Sequence, residues 1–160
     1  MDPILDVRNL QTHFFTKAGV LKAVDGVSFQ IGAGEIVGLV GESGSGKSIT
    51  GFSILGLVDP PGRIVGGEIL FSGRDLTKLP PAEIQKMRGS RIAMIFQDPM
   101  MTLNPVLRIE TQMTEAIQTH DSSVSKDEAR RRSRDALGMV GISSPDERMR
   151  AYPHQFSGGM

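Results

Sequence analysis

Gly41-Glu42-Ser43-Gly44-Ser45-Gly46-Lys47-Ser48 fits the pattern G-x-x-x-x-G-K-[ST] at every fixed position. Its flanks have the character that the pattern requires. Before it runs Ile36-Val37-Gly38-Leu39-Val40, a continuous apolar stretch that predicts a strand buried on both faces. After it a helix is predicted from Lys47 to about Val58, with Ile49, Phe52 and Leu55 inward, stopped by Pro60-Pro61-Gly62. The residue types suit a polyphosphate. Amides at a helix start are unpaired donors, and the helix dipole adds partial positive charge there. Glycines at 41, 44 and 46 let phosphate approach those amides and permit positive φ. Ser43 and Ser45 add little bulk. Lys47 brings a full charge towards the β- and γ-phosphates, and Ser48 offers a hydroxyl to Mg²⁺, a hard ion that prefers oxygen ligands.

Outward from this loop, Ile4, Leu5, Val7 and Leu10 predict a short strand over 4–10. Residues 20–31 end in alternation: Val27, Phe29 and Ile31 face one way, Ser28 and Gln30 the other. That period of two predicts a strand with one wet face, as in antiparallel sheets. Gly32-Ala33-Gly34 is a turn, Glu68–Phe71 a strand, and Ser72–Asp75 a second turn. Pro80-Pro81 opens a short helix through Arg88. Arg91–Phe96 predicts another buried strand.

From about Asn104 onward the pattern is helices and loops. One helix is predicted over about 106–120, with Ile109, Met113, Ala116 and Ile117 on a stripe. Another is predicted over about 126–139, with Ala129, Ala136, Leu137 and Val140 inward, and Ser125 and Glu128 have capping-box spacing. Arg130, Arg131, Arg132 and Arg134 could form a polyanion site. Asp127, Glu128 and Asp135 dilute them, and Asp127–Arg131 and Glu128–Arg132 are favourable i,i+4 pairs, so the run reads as a solvated helix face.

Composition removes several function classes. In 160 residues, 18 basic side chains balance 18 acidic ones, leaving no bulk field to draw in nucleic acid or anionic lipid. Seven Phe, one Tyr and no Trp argue against a base-stacking nucleic-acid surface. No cysteine is present, which excludes disulfides, thiolate metal sites and cysteine nucleophiles. No apolar run approaches the ~18 residues of a membrane span, and the start lacks the pattern of a secretory signal. His13, His120 and His154 are scattered, with no acid–base partner evident.

Two further motifs choose among phosphate-loop proteins. Ile95-Phe96-Gln97-Asp98-Pro99 closes an apolar run on a glutamine, and Tyr152-Pro153-His154-Gln155-Phe156-Ser157-Gly158-Gly159-Met160 comes much later. Together with Gly41–Ser48 they resemble the Q-loop, signature motif and phosphate loop (Walker A) of ABC ATPases. With Gly66-Gly67-Glu68-Ile69 and Leu103-Asn104-Pro105, the likeness is to ATP-binding subunits of the oligopeptide/dipeptide (nickel or glutathione) importers, over essentially residues 4–160. No Asn-Lys-x-Asp base reader of a GTPase occurs. A kinase lid would have to be built from Arg130–Arg134.

The resemblance implies an α/β P-loop NTPase fold with an antiparallel β subdomain and an inserted α-helical subdomain, incomplete at the C-terminus. Residues 1–99 would form the ATP-binding core and β subdomain, 100–156 the helical subdomain, and 157–160 a truncated signature motif. It implies an ATPase subunit energising import of peptides or similar small solutes from the cytoplasmic face of the membrane. Its partners would be permease subunits, a second ATP-binding subunit and, indirectly, a solute-binding protein. ATP with Mg²⁺ would be held by Gly41, Glu42, Ser43, Gly44, Ser45, Gly46, Lys47, Ser48 and Ile49, with Lys47 and Gln97 as catalytic residues and Ser48 and Gln97 at the metal. Gln97 would also link the site to the permease. Ser157, Gly158 and Gly159 would bind the γ-phosphate held by the second subunit. Phe14, with Phe15 as the alternative, would stack on adenine.

Two features depart from the family. Many relatives carry a hydroxyl residue after Ser48, where this chain has Ile49. The sequence also stops at Met160, before the family's Walker B strand with its Asp and Glu, the D-loop and the switch His. Asp98 is a weak substitute as Mg²⁺ ligand, one residue late. The 160 residues are therefore expected to be the N-terminal part of a longer ATPase, binding nucleotide weakly and not turning it over.

Overall fold

The computed structural model describes residues 2–96 and 102–160. The chain divides into two compact units, Met1–Arg88 and Gly89–Met160. The first is built on an antiparallel sheet of four strands: β1 (Leu5–Thr16), β2 (Gly19–Ile31), β3 (Gly62–Phe71) and β4 (Arg74–Asp75), in the order β2-β1-β3-β4. β1 and β2 form a hairpin in register from Leu5 opposite Ile31 to Thr16 opposite Gly19. β1 outruns the predicted 4–10 because its outer half pairs on both sides, Phe14 lying opposite Leu21 and Gly62.

Val7 and Leu10 in β1, Val24 in β2 and Ile69 in β3 are fully buried. In β2 the alternation holds: Val27, Phe29 and Ile31 are half-buried, while Ser28 and Gln30 are exposed. α1 (Lys47–Ile54) closes onto this sheet. It is one turn shorter than predicted, because Leu55 caps it and the chain turns at Gly56, with Gly56 N–H donating to Ser53 O at 3.1 Å. Its buried face is Thr50 and Ser53, flanked by Leu55, and Ile49 and Phe52 are only half-buried. α2 (Pro81–Met87) starts with its proline in the first turn, as expected.

Asp75 ends the β3–β4 hairpin and caps a 3₁₀ turn over Leu76–Lys78. Its carboxylate accepts from Thr77 N–H at 3.0 Å and Thr77 Oγ1 at 2.8 Å, and lies 2.8 Å from Lys78 Nζ. Burial alone would raise its pKa; the bonds from Lys78 and Thr77 outweigh that and hold the carboxyl below its ordinary range. A depressed carboxyl stabilises the fold above its unfolded pKa, and the benefit fades as pH falls through the native value. Asp75→Asn should therefore cost about 1 kcal/mol at neutral pH. The gap to the unsubstituted chain should close on acidification, as read from urea midpoints across pH. A pH-independent gap would contradict this origin.

The second unit is helical: α3 (Ile109–His120), α4 (Lys126–Met139) and α5 (Pro145–Arg150), followed by a 3₁₀ turn over Pro153–Gln155. Ile109, Leu137, Ile142 and Met149 form its core, with Leu103, Met113 and Phe156 packed around them. Ser125 Oγ accepts from Glu128 N–H at 3.2 Å, giving half the predicted capping box. The Glu128 carboxylate turns instead to Arg131 and Arg132. Ala116 and Val140, both expected inward, are exposed; Thr114 and Ser133 take the buried positions. α5 was not foreseen: it is short, and only Met149 is buried.

Two predicted strands are not formed. Residues 35–42 and 93–96 have no strand pairing, and Ile36, Val40 and Ile95 are 98%, 92% and 97% exposed. An apolar run shows what a strand would need around it. Becoming one requires neighbours to take its N–H and C=O groups, and no described strand does so here.

Candidate functional site

The loop 41–46 leads into α1 through Gly46, whose φ of +90° begins the helix without any side-chain cap. An L-residue resists that conformation, and a Cβ at 46 would also run into the Ala23 carbonyl of β2. The loop is thus seated on the sheet at its last residue. Thr50 N–H and Oγ1 both donate to Gly46 O, at 2.8 and 3.0 Å. One turn further on, Thr12 Oγ1 of β1 lies 2.8 Å from Ser53 Oγ.

Lys47 folds back into the loop. Its Nζ donates to Gly41 O at 2.8 Å and Glu42 O at 2.6 Å, and lies 3.3 Å from Ser45 Oγ. Ser45 N–H donates to Glu42 O at 3.2 Å, which tightens the turn. The α1 first turn contains no acidic residue. Its leading amides have no intrahelical acceptor, so positive potential gathers at the helix start. Ser48 is exposed at this end, while the Ile49 side chain is half-buried and adds no polar atom.

This donor set fits a polyanion: amides, an ammonium and a hydroxyl around a bare glycine turn. Among the described residues no group of three or more His, Asp or Glu could hold a metal ion. A divalent cation would therefore depend on the ligand's own phosphate oxygens plus the Ser48 hydroxyl. Gln97 and Asp98 lie outside the described residues.

Phe14 is half-buried on the same face of β1 as Thr12, the face that α1 covers. A Cβ on Gly62 would come within 2.6 Å of Phe14 Cε1 and 2.8 Å of Val58 Cγ1, so Gly62 is what makes room for the ring. Phe15 points to the opposite face, where the Arg63 guanidinium sits 4.2 Å from its ring centroid.

Ser157, Gly158 and Gly159 are exposed in the second unit, in a turn closed by Met160 N–H on Ser157 O at 2.9 Å. Ser157 and Gly158 edge an apolar cavity of about 210 Å³ walled by Leu103, Ile109, Met113, Leu137 and Phe156. The arginine run has a carboxylate for each guanidinium: Glu110 for Arg130 at 3.1 Å, Glu128 for Arg131, Glu128 for Arg132 at 2.7 Å, and Asp135 for Arg134 at 2.8 Å. That is a solvated face on which four guanidiniums share three carboxylates, and Arg131 takes Glu128 rather than the expected Asp127. His13 lies 3.6 Å from Asp25, His154 stacks with Tyr152, and His120 packs over Gly89. The three histidines form no common site.

Sequence reasoning missed the hydroxyl pair under the loop. Thr50 and Ser53, three apart on α1, lie next to positions read as inward and apolar, and Thr12, two from both Leu10 and Phe14, lies beyond the strand predicted over 4–10. Their place beside apolar positions was the available signal.

The chain resembles proteins of known role along almost its full length. It is 50% identical over 161 residues to the oligopeptide transport ATP-binding protein AppD of Bacillus subtilis, covering 100% of this chain and 49% of that protein. It is 44% identical over 157 residues to the dipeptide transport ATP-binding protein DppD of Escherichia coli, covering 98% and 48%. The chain thus spans about half the length of the curated relatives it matches. Among solved structures, a bacterial ABC transporter cassette, determined as a dimer, superposes with a TM-score of 0.84 at 25% identity, over 97% of this chain and 64% of that one. A post-hydrolysis state of that cassette bound to ADP and Pi matches equally well. The profile of the ABC transporter family matches residues 24–160, and on that match and these relatives the chain belongs to the ABC transporter family.

Proposed function

We propose that this chain is the ATP-binding portion of an importer subunit for peptides or similar small solutes. The observation that carries the proposal is the phosphate loop itself: a glycine turn entering α1 at φ +90°, with the Lys47 ammonium poised among loop oxygens and no carboxylate in the first helical turn. The oligopeptide and dipeptide transport roles of the two relatives support the solute class.

In this reading the amides of Gly44, Ser45, Gly46, Lys47, Ser48 and Ile49 wrap the β-phosphate. Lys47 exchanges its carbonyl partners for β- and γ-phosphate oxygens, and the Ser48 hydroxyl helps to hold Mg²⁺. When bound, Mg²⁺ neutralises charge on the β- and γ-phosphates. Gly41 and Glu42 close the turn, and Ser43 keeps it slim. Gln97 stands at the metal by resemblance. Phe14 is the base-stacking ring, since Phe15 is occupied by Arg63 on the other face. Ser157, Gly158 and Gly159 face the nucleotide of a second subunit, so that ATP joins two copies or two related chains. Residues 1–99 act as core and β subdomain and 100–156 as the helical subdomain that docks permease subunits. A solute-binding protein takes part only through the permease, and nucleic acid has no part.

No described helix is long and apolar enough to cross a membrane. The subunit would sit at the cytoplasmic face of the membrane through its partners. These 160 residues alone would bind nucleotide without turning it over, because among the described residues no group is arranged to activate water.

The test is titration of the purified chain with a fluorescent ATP analogue in the presence of Mg²⁺. Weak, saturable binding that unlabelled ATP displaces is expected, with no phosphate release above background. Absence of saturable binding would sink the site, and sustained Lys47-dependent hydrolysis would sink the claim of catalytic incompleteness.

A further inference from the structure

The helix that carries the phosphate loop is tied to β1 by a buried polar contact. Thr12 and Ser53 are 0% and 2% exposed, with their hydroxyl oxygens 2.8 Å apart. Ser53 donates its only hydroxyl hydrogen to the Ile49 carbonyl at 2.7 Å, so Thr12 is the donor in the pair. Buried hydroxyls cost free energy unless they are partnered, and an apolar pair would fill the same space without fixing a direction. A hydrogen bond does fix one, because it weakens steeply as the geometry departs from line. The contact therefore sets how far along β1 the helix sits.

Both ends of that tie lead to the nucleotide site. Two residues beyond Thr12 and on the same face is Phe14, packed at Val58 and Gly62. Six residues before Ser53, roughly 9 Å along the helix axis, is Lys47 at the start of α1. We infer that Thr12 and Ser53 are a positioning pair: they set the separation between the Phe14 ring and the phosphate loop, so that the base and the polyphosphate of one nucleotide are gripped together. The inference rests on the nucleotide site proposed above and on Phe14 as its base platform. Neither Thr12 nor Ser53 touches the ligand.

Thr12→Val tests it. Valine keeps the volume and suits a strand, and Ser53 retains its Ile49 partner, so no buried group is orphaned. Affinity for Mg-ATP and for inorganic tripolyphosphate should be measured on the same preparations. ATP binding is expected to fall about tenfold while tripolyphosphate binding stays within about twofold. Thr12→Ser should restore ATP binding, and Phe14→Ala should show the same split as Thr12→Val. A merely structural role would lower both ligands together, and that result, or no loss in either, would overturn the pairing role while leaving the site intact. An unchanged ATP affinity in Phe14→Ala would overturn it as well. Binding of neither ligand by the unsubstituted chain would instead remove the site on which the inference stands.

Discussion

Lys47→Ala is expected to weaken Mg-ATP binding by about 1.5–3 kcal/mol, roughly 10- to 150-fold, while leaving the melting temperature nearly unchanged. The two effects separate for a structural reason. In the free chain the ammonium serves Gly41 O, Glu42 O and Ser45 Oγ, but residues 41–45 are exposed. Water can take over those acceptors once the side chain is gone. A phosphate cannot be served so cheaply. It loses a full charge and charge-assisted hydrogen bonds in the place where the α1 dipole already concentrates positive potential. Lys47→Arg should not restore binding, since a planar fork does not replace a compact ammonium inside a tight turn. Titration calorimetry beside a thermal melt checks both halves. Unchanged ATP affinity in Lys47→Ala would remove the loop from the binding site.

Gly46→Ala is expected to cost about 2–4 kcal/mol of stability in the first unit and to abolish measurable ATP binding along with it. Two penalties meet at that position. The φ of +90° is hostile to a side chain, and the Cβ would collide with the Ala23 carbonyl, which is backbone rather than the free end of a flexible side chain. Gly44→Ala isolates the first penalty. Its φ is +82°, yet nothing lies within 4 Å of an added Cβ, so about 1 kcal/mol is expected there. Urea unfolding of the two variants should rank Gly46→Ala well below Gly44→Ala. Equal costs would mean that the loop is not seated on β2.

Much of the helical unit was legible because periodicity writes it openly. The bounds of α4 agree with the 126–139 reading, and Ile109, Ala129 and Leu137 are buried as their spacing implied. The errors fell at the edges of stripes. Ala116 and Val140 are apolar but face water, while Thr114 and Ser133 go inside and satisfy themselves on carbonyls one turn back, at 2.7 and 2.8 Å. A small hydroxyl residue on a helix can bury without penalty by this bond, so polarity alone misjudges which face is inward. The two apolar runs at 36–40 and 91–96 failed differently. Their composition matched a buried strand, but strand formation is a property of the neighbours as well as of the run.

The amino-acid sequence by itself determined the phosphate loop, because glycine spacing, Lys47 and Ser48 are chemical requirements that do not depend on distant residues. It also determined the antiparallel β and helical character of the regions around it, because those patterns repeat every two or every 3.6 residues. Only the tertiary structure decided that Gly46 rests on Ala23, that Thr12 meets Ser53, and that Phe14 rather than Phe15 shares a face with the helix behind the loop. The first two contacts join residues 23 and 41 positions apart, and all three depend on strand bulges and pairing register. One residue of slip turns a side chain to the opposite face, and no local pattern carries that information.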